Sequence, residues 1–180
     1  MSHILLISGS LRDGSTNTAA IRTAQLVAPG GVTTSIYEGM GSLPHFNPDD
    51  ELDESVHAAV KDLRARMSAA DGVLICTPEY AGALPGSLKN LLEWTVGDGS
   101  TYGKPIAWIN VSGPAAPTGG DDAHESLRKV LGYVNANVIE SACLRLPLTR
   151  AAVADDGTIH DPSTQGQISA ALSRLAAAST

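Results

Sequence analysis

The sequence predicts an α/β protein in which helices cover both faces of a parallel sheet, giving three layers. Short apolar segments alternate with amphipathic helical patterns along the whole chain. The segments at 4–7, 73–76 and 106–111 are almost continuously apolar, as expected for strands that are covered on both faces. A length of 180 residues without internal repeats suits one domain with a substantial core.

Five apolar segments are the predicted strands, and five amphipathic patterns are the predicted helices. The strands, in chain order, are His3–Ile7, Val32–Ile36, Val73–Cys76, Ile106–Val111 and Val138–Leu146. The helices have apolar residues at three- and four-residue spacing around 20–27, 56–70, 88–95, 127–134 and 162–175. The fifth strand has the weakest pattern, because Glu140, Arg145 and Pro147 interrupt it.

This alternation implies parallel strands joined by right-handed crossovers. Five strands favour a flavodoxin-like fold with strand order 2-1-3-4-5 over a six-stranded dinucleotide-binding fold. We therefore expect a single flavodoxin-like domain over residues 1–180. Ligands of such sheets bind beyond the carboxyl ends of the strands, so the loops after strands one, three and four are expected to carry the function.

Composition excludes several other classes of function. The net charge of −7 argues against a nucleic-acid surface, which needs clustered Lys and Arg. No apolar run approaches the roughly 20 residues of a membrane helix, and the apolar start of the chain is too short for a signal peptide. We therefore expect a cytoplasmic protein without membrane insertion. Cys76, Cys143 and the five scattered histidines show no metal or nucleophile pattern, so neither a metal site nor a catalytic side chain is predicted.

The loop after the first strand, from Gly9 to Asn17, has the composition of an anion site. It leads directly into a helix, whose first N–H groups and positive dipole end favour a negative charge. The candidate ligand-binding side chains are Ser10, Arg12, Ser15, Thr16 and Asn17. Ser15 replaces the lysine of a triphosphate-binding loop, and the third glycine of a dinucleotide fingerprint is missing, which favours a terminal monophosphate. The alternative is that Ser15 or Asn17 only caps the helix.

The loop after the third strand begins at Thr77 and is shaped by two prolines and two glycines. Such a rigid loop can lay its backbone against a flat ring. Tyr80 offers a planar surface, and neighbouring N–H groups can donate to ring oxygen and nitrogen atoms. The alternative is that Tyr80 is an ordinary half-buried aromatic side chain.

Together, these two loops resemble the NADPH-dependent FMN reductase family, which includes quinone, chromate and azo-compound reductases. The matching segments are Gly-Ser-Leu-Arg-x-x-Ser-x-Asn at 9–17 and Pro-Glu-Tyr-x-x-x-x-Pro-Gly-x-Leu-Lys-Asn-x-x-Glu-Trp at 78–94. The resemblance extends from Ile4 to about Leu148. It implies that the first loop holds the FMN phosphate and that the isoalloxazine ring is lined by Pro78, Glu79, Tyr80, Ala81 and Gly82. Many relatives have asparagine after the tyrosine, and Ala81 keeps only the backbone N–H at that position.

The loop after the fourth strand supplies secondary candidates. Relatives have a Ser/Gly-rich turn near the flavin edge here, which implies roles for Ser112 and Gly113. The alternative is an ordinary connection to the next helix. Asp122 and Glu125 have the spacing of a helix cap with its reciprocal partner, and we expect them to be structural.

The resemblance also implies the activity and the partners. NADPH or NADH would transfer a hydride to bound FMN, and a quinone, free flavin or similar small acceptor would then take the electrons. Family members imply a homodimer or homotetramer, with Trp94 and the edges of its helix as candidates for the subunit contact. Two alternatives stay open: a flavodoxin-type electron carrier, and a protein that keeps the fold but has lost the flavin.

Overall fold

The chain forms a parallel sheet between two layers of helices. The structure is a computed structural model that describes residues 1–51, 56–113 and 116–179. The strands are β1 (Ser2–Ser8), β2 (Val32–Tyr37), β3 (Gly72–Cys76), β4 (Pro105–Val111), β5 (Asn137–Val138) and β6 (Leu144–Leu146). The helices are α1 (Thr16–Leu26), α2 (Ala58–Ala69), α3 (Gly86–Glu93), α4 (Asp121–Tyr133) and α5 (Pro162–Ala177). Among the described residues, no helix has both the length and the apolar character needed to cross a bilayer.

The strand order β2-β1-β3-β4-β5 confirms the predicted flavodoxin-like topology. Each pair in the sheet is parallel, and the register brings the carboxyl ends of β1, β3 and β4 to one edge. Ser8 lies opposite Cys76, and Cys76 lies opposite Ile109. The three loops in which function was expected therefore leave the sheet side by side.

The prediction of one continuous fifth strand over Val138–Leu146 is wrong. β5 pairs with the start of β4 and β6 with its end, and a single 3₁₀ turn at Glu140–Ala142 separates the two pieces. Charged side chains at the break are engaged by α4: Arg128 binds the carboxylate of Glu140 at 2.9 Å. Arg145, within β6, pairs with Asp121. These exposed ion pairs connect the interrupted segment to the start and middle of α4.

The core has two halves, one on each face of the sheet. On β1, Leu5 and Ile7 pack toward α2, α3 and α4, while Ile4 and Leu6 pack toward α1 and α5. Successive strand residues point to opposite faces, so a strand covered on both sides must be apolar at every position. This explains the continuous apolar segments of the central strands.

Side chains before α1 and α5 cap these helices. Ser15 Oγ accepts from Asn17 N at 3.2 Å, and the Asp161 carboxylate accepts from Thr164 N at 2.7 Å, with Pro162 as the first residue of α5. The expected cap at Asp122 is wrong. α4 already begins at Asp121, and its N-cap is Gly120, which has no side chain to offer.

Candidate functional site

A cleft of about 430 Å³ opens at the carboxyl edge of the sheet, between the loops that follow β1, β3 and β4. Its volume lies within the range of about 300–1,000 Å³ that is usual for small-molecule sites. The predicted site residues that line it are Arg12, Ser15, Thr16, Asn17, Pro78, Glu79, Tyr80, Ser112 and Gly113. Three others do not: Ser10 lines the neighbouring cavities, while Ala81 and Gly82 are exposed and do not contribute to the walls. Pro114 and Ala115, within the third loop, lie outside the described residues.

Gly9 brings the first loop close to the second. Its N–H donates to Cys76 O at 2.8 Å. A Cβ at this position would lie 3.1 Å from Leu88 Cδ2 and 3.2 Å from Thr77 Oγ1, so a larger residue would push the two loops apart. The close approach therefore depends on a glycine at this position.

The start of α1 combines a helix cap with unused donors. Ser15 is the cap, as the alternative interpretation of this loop expected. The cap occupies one hydroxyl, whereas the amides of Thr16 and Thr18 in the first turn have no acceptor within the helix. The exposed guanidinium of Arg12 has no ion pair among the described residues. Donors for an anion therefore remain after the helix is capped.

A hydrogen bond from the thiol of Cys76 orients the Asn17 side chain. Its side chain is buried, and Oδ1 accepts from the Cys76 thiol at 3.3 Å. Burial raises the pKa of Cys76, so the sulfur stays protonated and can act as a donor. With Oδ1 engaged in this way, Nδ2 is the end of the amide left to donate to a ligand in the cleft.

The second loop folds into a tight hairpin. Tyr80 and Ala83 exchange backbone hydrogen bonds of 3.0 and 3.1 Å, and the two residues between them have φ angles of 51° at Ala81 and 72° at Gly82. Two consecutive positive φ angles are typical of the type I′ turn that joins hairpin strands. Tyr80 is 49% exposed, so its ring is accessible beside the cleft.

Glu79 connects the second loop to the third. Its carboxylate accepts from Thr118 Oγ1 at 2.7 and 2.8 Å and from the Ala123 amide in the first turn of α4 at 3.3 Å. A carboxylate at this position also opposes the positive dipole end of α4. Glu79 thus supplies the capping group that Gly120 lacks, and its oxygens are occupied by protein donors.

Asn110, which the sequence reasoning missed, lies on the floor of the cleft. It is 1% exposed, and Nδ2 donates to Thr77 O at 3.1 Å. Its Oδ1 is buried and has no hydrogen-bond partner in the described structure. A Cβ at Gly120 would overlap this side chain, so the amide also shapes the turn before α4. A lone amide in an otherwise apolar strand was the signal that could have identified it.

The assembled groups suit a phosphorylated planar ligand. Hydroxyls, amides and a guanidinium are gathered at one end of the cleft, and Tyr80 with rigid backbone lies at the other. Across the described ranges, no three His, Cys, Asp or Glu residues are placed to hold a metal ion. The residues present therefore fit a bound organic cofactor better than side-chain acid–base or nucleophilic chemistry.

Comparison with known proteins agrees with this chemistry. Residues 2–148 match the model of the NADPH-dependent FMN reductase family. The chain is 33% identical over 138 residues to a quinone reductase of Escherichia coli, covering 76% of this chain and 72% of that protein. It is 30% identical over 174 residues to an NAD(P)H-dependent FMN reductase of Pseudomonas aeruginosa, covering 96% and 92%. Among solved structures, the flavoenzyme NAD(P)H:(acceptor) oxidoreductase of Paracoccus denitrificans has a TM-score of 0.82, with 28% identity over 97% of both chains.

Proposed function

The chain belongs to the NADPH-dependent FMN reductase family, and from this premise we propose that its cleft holds FMN with the phosphate on the loop 9–17. Members of this family are FMN-dependent NAD(P)H oxidoreductases, and so is this chain. In the proposed arrangement, Arg12, Ser15, Thr16 and Asn17 serve the phosphate, whereas Ser10 lines the cavities behind the loop. Pro78 and Tyr80 from the second loop and Ser112 and Gly113 from the third would line the ring.

One observation carries the placement: a single cleft joins a donor set for a monophosphate to a rigid loop that bears an exposed aromatic ring. A triphosphate would need the absent lysine, and a metal-dependent site would need ligands that the described residues do not gather. The buried Asn110 amide lines the same cleft and would face a ligand there. The residues present therefore fit FMN.

When bound, FMN would supply the redox chemistry, taking up the hydride of NAD(P)H and delivering its electron pair to a second substrate. The protein's part is to orient the two substrates in turn over one open cleft, so we expect ping-pong kinetics. We propose a quinone as the acceptor, since relatives across the family are quinone reductases. The family match disfavours the flavodoxin-type carrier, which would lack NAD(P)H activity. A cytoplasmic location remains part of the proposal.

Flavin absorbance tests the cofactor directly. Purified protein, with and without added FMN, is expected to show the flavin bands, and NADPH added without oxygen should bleach them. Subsequent addition of a benzoquinone should restore the colour. A protein that stays colourless after reconstitution with FMN would overturn the proposal, and one that binds FMN but resists both NADPH and NADH would be a carrier.

Arg12→Ala tests the placement of the phosphate. Loss of a charged hydrogen bond is expected to weaken FMN binding by about 1.5–3 kcal/mol. Fluorescence titration of the apoprotein measures the dissociation constant. Riboflavin, which lacks the phosphate, provides the control because its affinity should be the same for both proteins. Equal FMN affinity in wild type and variant would move the phosphate elsewhere.

We also propose a homodimer that forms through α3 and α4. An apolar groove of about 480 Å³ runs between these helices, lined by Leu92, Val130 and Val134. Tyr133, 81% exposed, stands at its edge. The rim carries both signs of charge, from Lys89, Glu93 and Lys129, which is compatible with a surface that pairs with its own copy.

Trp94, which the sequence placed at this contact, belongs instead to the core of one chain. It is 1% exposed, packs edge-to-face against Phe46 at 5.0 Å, and donates Nε1–H to Pro44 O at 2.9 Å. Tyr133→Glu is therefore the better test of the dimer. Light scattering after gel filtration should show a dimer for wild type and a monomer for the variant. A monomeric wild type would refute the proposal.

A further inference from the structure

A second cationic cavity lies behind the phosphate loop, outside the flavin cleft. Its volume is about 260 Å³, and its walls include Arg12, Arg22, Thr18 and Gly157. On α1, Thr18 and Arg22 are four residues apart and share one face, whereas Thr16 and Asn17 face the flavin cleft. Arg12 borders both spaces.

Among the described residues, the two guanidinium groups in this cavity have no ion-pair partner. Of the six other arginines, four bind carboxylates: Arg64 with Glu51, Arg66 with Asp62, Arg128 with Glu140 and Arg145 with Asp121. Arg174 donates to Ser141 O, and Arg150 has no ion pair among the described residues. Neither Arg12 nor Arg22 has an ion pair or side-chain hydrogen bond within the described ranges. In a chain with a net charge of −7, two free arginines on one cavity mark a local site for an anion.

The turn beside Arg22 makes no ion pair with this exposed arginine among the described residues. The turn at 154–158 passes beside its guanidinium, and a Cβ on Gly157 would lie 2.7 Å from Nη1. Gly157 has a φ of 76°, so the turn needs glycine here, and the missing side chain leaves room for the arginine. The one acidic side chain on the cavity wall, Asp13, is exposed and makes no ion pair with either arginine.

We propose that Arg22, together with Arg12, binds a phosphate group of the nicotinamide dinucleotide, an inference that rests on the proposed function. Guanidinium groups suit phosphates because their planar N–H donors match two phosphate oxygens at once. The flavin phosphate uses the other side of the loop, so the anion behind it belongs to the second substrate. Arg12, between the two phosphates, screens their mutual repulsion.

Arg22→Gln is the test, with Arg66→Gln as the matched control. Arg66 is an exposed helix arginine on the opposite face of the sheet. Calorimetry with 2′,5′-ADP and the FMN-loaded protein measures binding without turnover. Arg22→Gln is expected to weaken this binding about five- to twenty-fold, since an exposed charged contact contributes less than a buried one. Arg66→Gln should leave it unchanged.

Steady-state kinetics then identify the phosphate. A raised KM for NADPH alone would assign the 2′-phosphate to Arg22, and a raised KM for both NADPH and NADH would assign the diphosphate. Unchanged binding of 2′,5′-ADP by Arg22→Gln would overturn the proposal. So would a variant that loses FMN affinity while keeping its dinucleotide affinity, because Arg22 would then serve the flavin. If wild type oxidises neither nicotinamide, the proposed function fails, while the calorimetric result still judges this site.

Discussion

The backbone of Ala81 has a conformation that alanine rarely adopts. Its φ of 51° lies in the left-handed region, which costs about 1–2 kcal/mol for a residue with a Cβ. Asparagine tolerates this region better, and it is the residue that many family members have at this position. The asparagine of relatives thus fits the turn through its backbone preference, whether or not its side chain touches a ligand.

Replacing Ala81 should therefore change stability in a predictable direction. Ala81→Asn is expected to raise the free energy of unfolding by about 0.5–1 kcal/mol, because it suits a positive φ. Ala81→Val, whose branched side chain suits that region least, should lower it. Urea denaturation of both variants measures the change. Equal unfolding free energies for Ala81→Asn and Ala81→Val would contradict a left-handed backbone conformation at residue 81.

A second single-residue effect concerns the Cys76–Asn17 hydrogen bond. Cys76→Ala removes the donor and leaves a buried amide oxygen without a partner, so Asn17 can rotate. We expect FMN affinity to fall about five-fold. Cys76→Ser keeps an O–H donor at the same place and should retain most of the affinity, as measured by fluorescence titration. If the serine variant loses as much affinity as the alanine variant, packing of the sulfur is what matters.

At the scale of elements, the loops around the cleft are bound to one another as well as to the sheet. Glu79 ties the loop after β3 to the loop after β4 and to α4, and Asn110 ties β4 to the end of β3. These contacts explain how a cleft made of irregular segments can keep one shape. A ligand that needs several donors at fixed positions then binds without ordering the loops first.

Glu79→Ala should loosen this arrangement. We expect a loss of about 1–2 kcal/mol in unfolding free energy, because α4 loses its capping group, together with weaker FMN binding. Glu79→Gln keeps one acceptor oxygen and should lie between the alanine variant and wild type. Glu125 is an exposed carboxylate on α4 that takes no part in the cap, so Glu125→Ala is the matched control. It should change the free energy of unfolding by less than about 0.5 kcal/mol. Wild-type stability in Glu79→Ala would show that the bridge is unimportant.

The sequence predicted the elements whose apolar residues follow a regular spacing. It did not predict contacts between residues that are far apart in the chain. β1 and β3 were recognisable because both of their faces are buried. β5 and β6 span two and three residues, too short to show a period. Glu79 and Thr118 are 39 residues apart, and neither loop has a local sequence feature that predicts their hydrogen bond. The donor set for the phosphate was visible because it is contiguous in the chain.

At the scale of the whole molecule, one buried histidine links stability to pH. His124 on α4 is 5% exposed, and its ring meets the Trp108 ring edge-to-face at 5.5 Å. Burial lowers the pKa of His124 to about 4, helped by the positive charge of Arg145 and opposed by Asp121. The ring is therefore neutral in the folded protein at neutral pH.

The direction of the pH effect on stability follows from the difference in the pKa of His124 between the folded and the unfolded chain. Below about pH 6.5 the unfolded chain takes up a proton on this histidine before the folded chain does. Stability should therefore fall as the pH drops from about 6.5 to about 4, by up to about 3 kcal/mol from this group. His124→Phe keeps a ring in place and cannot be protonated, so its stability should fall less. Denaturation at pH 7 and pH 4.5 makes the comparison, and parallel losses in both proteins would refute it.

The division of the last strand into β5 and β6 also bears on how the protein behaves at high concentration. An outermost strand presents unpaired N–H and C=O groups, and a long flat one invites strands of other molecules to add to it. Two fragments separated by a 3₁₀ turn, with Arg145 projecting from the second, offer no such template. The irregularity that weakened the sequence pattern thus protects this edge of the sheet against pairing with other molecules.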